Sequence, residues 1–278
     1  MSTQPYNNDH AAINPDVSKE RTSYDYGGNP LAHYATNDPD IRLRPFGGAA
    51  QPGLYRPPPR TLANPAPLGL SAFALTTFVL SVIQMGTRSI LEPNIVVALA
   101  YGYGGLVQLL AGMWEMACGN TFGATALSSY GGFWISFGII LTPGGFGIVA
   151  ALEESSPAPF TNSFGLYLMG WFIFTFLLLL CTLRSTVAFF SLFFFLDMAF
   201  LLLGLSYLYA DAGHVHVGLE RAGGAFACLS AIMAWYNALA GLADSTNSFF
   251  VIPVLHFPWS ETGRERRNNI QKSPEHQA

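Results

Sequence analysis

Six apolar stretches follow one another from about Leu68, each near the roughly 20 residues a helix needs to cross hydrocarbon. They fall at about 67–86, 94–117, 122–142, 163–183, 187–209 and 221–242. A chain in lipid must pair its backbone polar groups within itself, so such runs read as helices. A soluble helical core would carry charges along its outer faces, but Glu115 and Asp197 are the acids inside these spans. Charged residues make up 11% of the chain, against about 25% in soluble domains, and the hydrophobic share is 51%. The expected fold is an all-α membrane protein, a bundle of six transmembrane helices.

The residues before the first span have another character. Residues 1–63 hold nine of the eighteen prolines among scattered Asn, Asp, Gly and Tyr, with no helical or strand period. The expected division is a disordered cytoplasmic tail over 1–63, a transmembrane domain over 64–245 and a cytoplasmic C-terminal tail over 246–278. No secretory leader is expected, because the first apolar run starts so late. Cys118, Cys181 and Cys228 have no paired spacing, which argues against a disulfide framework or a zinc site. His214 and His216 share a loop after the fifth span, a pair more often ordinary than metal-binding. With no GxSxG, phosphate loop or GxGxxG after a strand, neither an enzyme nor a cofactor or metal is expected. A net charge of −4 makes no case for nucleic acid.

Basic residues set the orientation. An even number of spans puts both termini on one side, together with Arg60, Arg184 and the Arg264–Arg267 cluster. The opposite side keeps Arg88 and Arg221 among Glu92, Glu153, Glu154, Asp211 and Glu220. The asymmetry predicts cytoplasmic termini.

Four features carry chemistry. In Asn64-Pro-Ala-Pro-Leu-Gly-Leu70, Asn64 suits a helix cap and Pro65 the first helical position, leaving N–H groups that attract an anion; Gly69 follows within the same turns. An ordinary capped helix would use the same residues. In the second span Tyr101, Gly105, Gln108, Gly112 and Glu115 share one helical face, as either a tight seam with a polar clasp or a channel lining. Asp197, in the middle of the fifth span, must face protein or water, as a proton carrier or paired with Asn237 or Gln108. The turn at Asn120 and Thr121 joins spans two and three, where either residue caps the third helix and the same end could receive a departing carboxylate.

The opening motif, Tyr103-Gly-Gly105 with Gln108, Ala111-Gly112 and Glu115, Gly119-Asn-Thr-Phe-Gly123, and Ser129-Tyr-Gly131 before Phe133-Trp134 together resemble the acetate uptake transporter family. That group includes bacterial succinate–acetate permeases and fungal acetate and ammonia-export proteins; the similarity spans about 62–255, and the long tail is similar to the fungal branch. The resemblance implies a pore in each protomer, a homohexamer, and transport of acetate and related short monocarboxylates with protons as co-substrate; the expected location is the plasma membrane. The resemblance also implies a constriction at Phe73, Tyr130 and Leu196; the helix end at Asn64, Pro65 and Gly69 is the candidate for substrate entry from its own chemistry. Gln108, Glu115 and Asp197 are the candidates for polar contact or proton coupling. A passive acetate, acetic acid or ammonium channel and a membrane sensor of acid stress are the competing readings.

Overall fold

Packing order in the bundle follows where the chain keeps its small residues. The computed structural model describes residues 62–272 apart from 91, 155–158, 212 and 245. The expected tail over 1–63 therefore lies, up to residue 61, outside the described residues, as do residues 273–278. The helices are α1 (Ala66–Gln84), α2 (Asn94–Tyr101), a π-helical turn (Gly102–Val107), α3 (Gln108–Ala117), α4 (Thr121–Leu141), α5 (Ile148–Glu153), α6 (Pro159–Thr182), α7 (Val187–Leu208), α8 (Val217–Leu242) and α9 (Glu261–Lys272). Six helical rods span the membrane, with α2, the π turn and α3 forming one of them.

Gly224, Ala227, Ala231, Ala234 and Ala238 are the small buried stripe of α8. They let α8 lie close between α1 and α7, while α6 packs on α7 and α3 on α4. Between α4 and α6 the backbones stay apart and side chains bridge the gap: the Tyr130 and Thr175 hydroxyls are 2.9 Å apart and those of Ser136 and Tyr167 2.7 Å. The bundle thus closes tightly on its small-residue side and loosely on its aromatic side. The interior space lies on that looser side.

Three local details depart from the sequence expectation. Helix α1 starts one residue late: Pro65 holds the cap position and its carbonyl accepts the Gly69 N–H at 3.2 Å. Asn64 still contributes, its Oδ1 accepting the Ala66 N–H at 3.1 Å, and Pro67 takes a first-turn position where an N–H is not needed. The π turn adds a residue to the second span and rotates what precedes it. Tyr101 still faces α4, as Gly105 and Gly112 do: a Cβ at Gly138 would lie 3.1 Å from its ring, and its hydroxyl is 3.2 Å from Thr142 Oγ1 just past the end of α4. Helix α8 starts earlier than the hydropathy suggests, because the His216 imidazole caps it by accepting the Leu219 N–H at 3.2 Å.

Beyond Leu242 the chain returns along the bundle. The Tyr236 hydroxyl donates to the Pro253 carbonyl, the Val187 N–H donates to Leu255 O at 2.9 Å, and Trp259 Nε1 donates to Leu183 O at 2.8 Å. Phe257 stacks on Trp259 and meets Phe190 edge to face. This strap holds the α6–α7 turn and leads into α9.

Candidate functional site

Among the described residues, the bundle interior holds a cavity of about 230 Å³ and another of about 70 Å³. The larger one reaches Gln84, Pro93, Leu141, Phe160, Tyr207 and Glu220, at the end of the bundle opposite the start of α1. The smaller reaches Ala66, Asn120, Gly123 and Phe189, at the end where α1 begins and α3 turns into α4. Phe73, Tyr130 and Leu196 are the residues common to both linings. Each comes from a different helix, α1, α4 and α7, and each is nearly sealed from solvent, at 4%, 3% and 4% exposure.

Tyr130 sits at the centre of an aromatic girdle. Its ring lies 6.0 Å from Phe73, 6.1 Å from Trp171 and 6.5 Å from Phe200, measured between centroids. The contacts to Phe73 and Trp171 are tilted and that to Phe200 is stacked, geometries that hold a ring in place. The bond to Thr175 Oγ1 fixes the other end.

Most of the buried unpaired polar atoms follow the same route, Glu115 Oε1 and Asp197 Oδ1 excepted. Buried groups normally find partners, so each exception needs a reason. Thr77 Oγ1, Gln84 Oε1 and Trp134 Nε1 have none, and all three residues line the larger cavity. Gln108, wholly buried, lines the smaller cavity with both amide atoms unpaired. These atoms can serve a polar guest that sheds its water on the way in. The Gln108 position was visible in the sequence as a polar residue on a small-residue face. Thr77 and Gln84 carry no signal in the sequence, and Trp134 enters only through the Phe133-Trp134 motif, because a hydroxyl, an amide at a helix end and an indole raise no alarm in an apolar run.

The other candidates divide. Asn120 lines the smaller cavity and caps α4, its Oδ1 accepting the Gly123 N–H at 3.0 Å. Its Nδ2 donates to Glu115 Oε2 at 2.7 Å, so Glu115 forms the polar clasp of the α3–α4 seam and borders neither cavity. Thr121 is exposed and makes no capping bond. Asp197 is 1% exposed and Oδ1 has no partner. Asn237 is not that partner, since its Nδ2 donates to Met233 O at 2.7 Å on its own helix. Asp197 borders neither cavity. Asn64, Pro65 and Gly69 also stay off both linings; it is Ala66 that reaches the smaller one. Gly69 instead fits against α3 and α4, where a Cβ would come within 2.6 Å of Leu127 Cδ1 and 3.1 Å of Ala111 Cβ.

A six-rod membrane bundle whose two cavities meet at one aromatic and aliphatic girdle defines an integral membrane protein with an interior route through a single chain. The chain belongs to the GPR1/FUN34/yaaH family, whose pattern matches residues 46–259. It is 66% identical over 260 residues to acetate permease A of Emericella nidulans, across 92% of this chain and 86% of that one. Over 219 residues it is 50% identical to ammonia transport outward protein 2 of Saccharomyces cerevisiae, across 79% and 75% of the two chains. Among solved structures it is similar to the bacterial acetate channel SatP, with a TM-score of 0.60, 32% identity, and coverage of 70% of this chain and 99% of that one.

Proposed function

We propose that this protein carries acetate and other short monocarboxylates across the plasma membrane together with protons, with both termini in the cytoplasm and the protomers assembled as a homohexamer. The observation that carries the reading is the sharing of Phe73, Tyr130 and Leu196 by both cavities: whatever passes from one to the other goes between those three side chains. Acetate permease A supplies the substrate by likeness, and the excess of Arg at the end bearing the termini supplies the orientation.

The girdle makes charge the central problem. An ionised carboxylate entering it loses several kcal/mol of hydration that neither phenyl nor isobutyl groups replace. The Tyr130 hydroxyl is its polar handle, and that hydroxyl already shares a hydrogen bond with Thr175. A neutral acid crosses such a gap far more readily, but an acid like a glutamate side chain is only about one part in 500 protonated at pH 7. Delivering a proton with the substrate resolves the conflict and ties net flux to the proton gradient. Gln108 and Asn120 then offer hydrogen bonds as the acid regains water on the far side.

A second reading, passive flux through a channel, is favoured by the likeness to a structure described as an acetate channel. Purified protein in liposomes separates the two. Labelled acetate should accumulate above its equilibrium level when an inward proton gradient is imposed, and a protonophore should abolish the accumulation. Equilibration that ignores the gradient would establish the passive reading.

A further inference from the structure

Among the described residues lining the two cavities, Glu220 is the one with a carboxylate, and no described Lys, Arg, His or Asp lines either. It sits in the first turn of α8, half-buried, with its N–H donating to the His216 carbonyl at 3.0 Å. Glu115 and Asp197, the other acids of the spans, are more deeply buried but do not border the route. A group that exchanges a proton with a passing substrate must touch it. Position therefore favours the half-exposed acid at the wide mouth over the two buried ones.

We propose that Glu220 is the group that hands the proton to the carboxylate substrate in the larger cavity. The inference rests on the proton-coupled reading above. Solvent at the mouth protonates Glu220. In the cavity its O–H bond breaks as a new O–H bond forms on the acetate oxygen, leaving neutral acetic acid facing the girdle and a Glu220 carboxylate that takes its next proton from the aqueous side. Donor and acceptor are both aliphatic carboxylic acids with nearly equal intrinsic proton affinity, so the transfer is close to balanced and runs in either direction. When ionised, Glu220 repels an acetate anion, which blocks bare-anion flux from this mouth. The titratable and charged groups around it are Tyr207 on α7, Arg221 beside it on α8, and His216 at the cap of the same helix. From α1 and α6 the cavity receives Gln84 and Phe160, neither of which titrates.

The test compares wild type with Glu220→Gln and Glu220→Asp in liposomes holding labelled acetate on one side. Two rates are taken: uptake as the outer pH falls from neutral to about pH 5, and acetate–acetate exchange at equal pH. In wild type the first should climb roughly tenfold per pH unit while protonation limits it. The expected result is that the ratio of pH-driven uptake to exchange falls at least fivefold in Glu220→Gln and returns in Glu220→Asp. A ratio equal to wild type in Glu220→Gln overturns the assignment, whether or not both rates drop together, and places protonation in bulk water. Should Glu220→Gln not fold, as judged by its melting curve in detergent, Glu220→Met replaces it under the same criterion. A wild type indifferent to the proton gradient removes the coupled reading and this assignment with it; a coupled wild type with an unaltered variant removes this assignment alone.

Discussion

The Tyr130 hydroxyl lies 2.9 Å from Thr175 Oγ1, a hydrogen bond that links α4 to α6 where the two backbones do not come close. Both side chains are buried, so removing either partner strands the other. Tyr130→Phe and Thr175→Val should each lower stability by about 1–3 kcal/mol, the cost of an orphaned buried hydroxyl. The double variant should cost less than the sum, since no orphan remains. Melting of the four proteins in one detergent checks this; strict additivity would mean that the bond is not made.

Phe73 and Leu196 give the clearest test of the route. Truncating either to Ala joins the two cavities at their shared wall and should let longer monocarboxylic acids compete with labelled acetate for uptake. Each change also removes a well-packed side chain, a loss of about 2–5 kcal/mol, so flux must be normalised to folded protein. Selectivity identical to wild type in both variants would take these residues out of the constriction.

Much of the architecture was legible because lipid imposes a simple rule on sequence. Six spans appeared as six apolar runs, and their ends were misplaced by only a few residues. What stayed hidden were local backbone choices. The π turn after Tyr101 has no signature that a 3.6-residue period can register. A histidine cap lies outside the usual Ser, Thr, Asp and Asn set, so α8 began too late and Glu220 was read as part of a loop. Depth was invisible as well. Glu115 and Asp197 stood out as acids in apolar spans, yet only three-dimensional packing tells whether such an acid borders open space or seals a seam.

Glycine positions separate packing from mere flexibility. At Gly69 a new Cβ would press on Leu127 and Ala111, so Gly69→Val should destabilise by about 1–3 kcal/mol through overpacking. At Gly132, in the same bundle, a Cβ would meet nothing within 4 Å. Gly132→Ala should be neutral, or stabilising by up to about 1 kcal/mol from helix propensity. Paired melting curves decide the matter: equal shifts at the two sites would contradict the close approach of α1 to α3 and α4.

The C-terminal strap offers a prediction about dynamics. Trp259 Nε1 donates to Leu183 O while the Val187 N–H donates to Leu255 O, so two hydrogen bonds of opposite direction tie the strap to the α6–α7 turn. Phe257, stacked on Trp259 and edge-on to Phe190, adds the apolar contact that keeps both bonds in register. Trp259→Phe keeps most of the ring and removes the donor, leaving Leu183 O to water at an exposed site, so the stability cost should be no more than about 1 kcal/mol. Trp259→Ala also removes the stacking surface and should release the strap. Hydrogen exchange reads the difference directly. The Val187 amide should exchange slowly in wild type, somewhat faster in Trp259→Phe and at least tenfold faster in Trp259→Ala, about 1.4 kcal/mol of lost local protection. Amides in the middle of α7 should be unaffected. Because Phe189, beside Phe190, lines the smaller cavity, Trp259→Ala should also change acetate flux more than Trp259→Phe does. Equal Val187 exchange in all three proteins would show that the strap does not hold the turn.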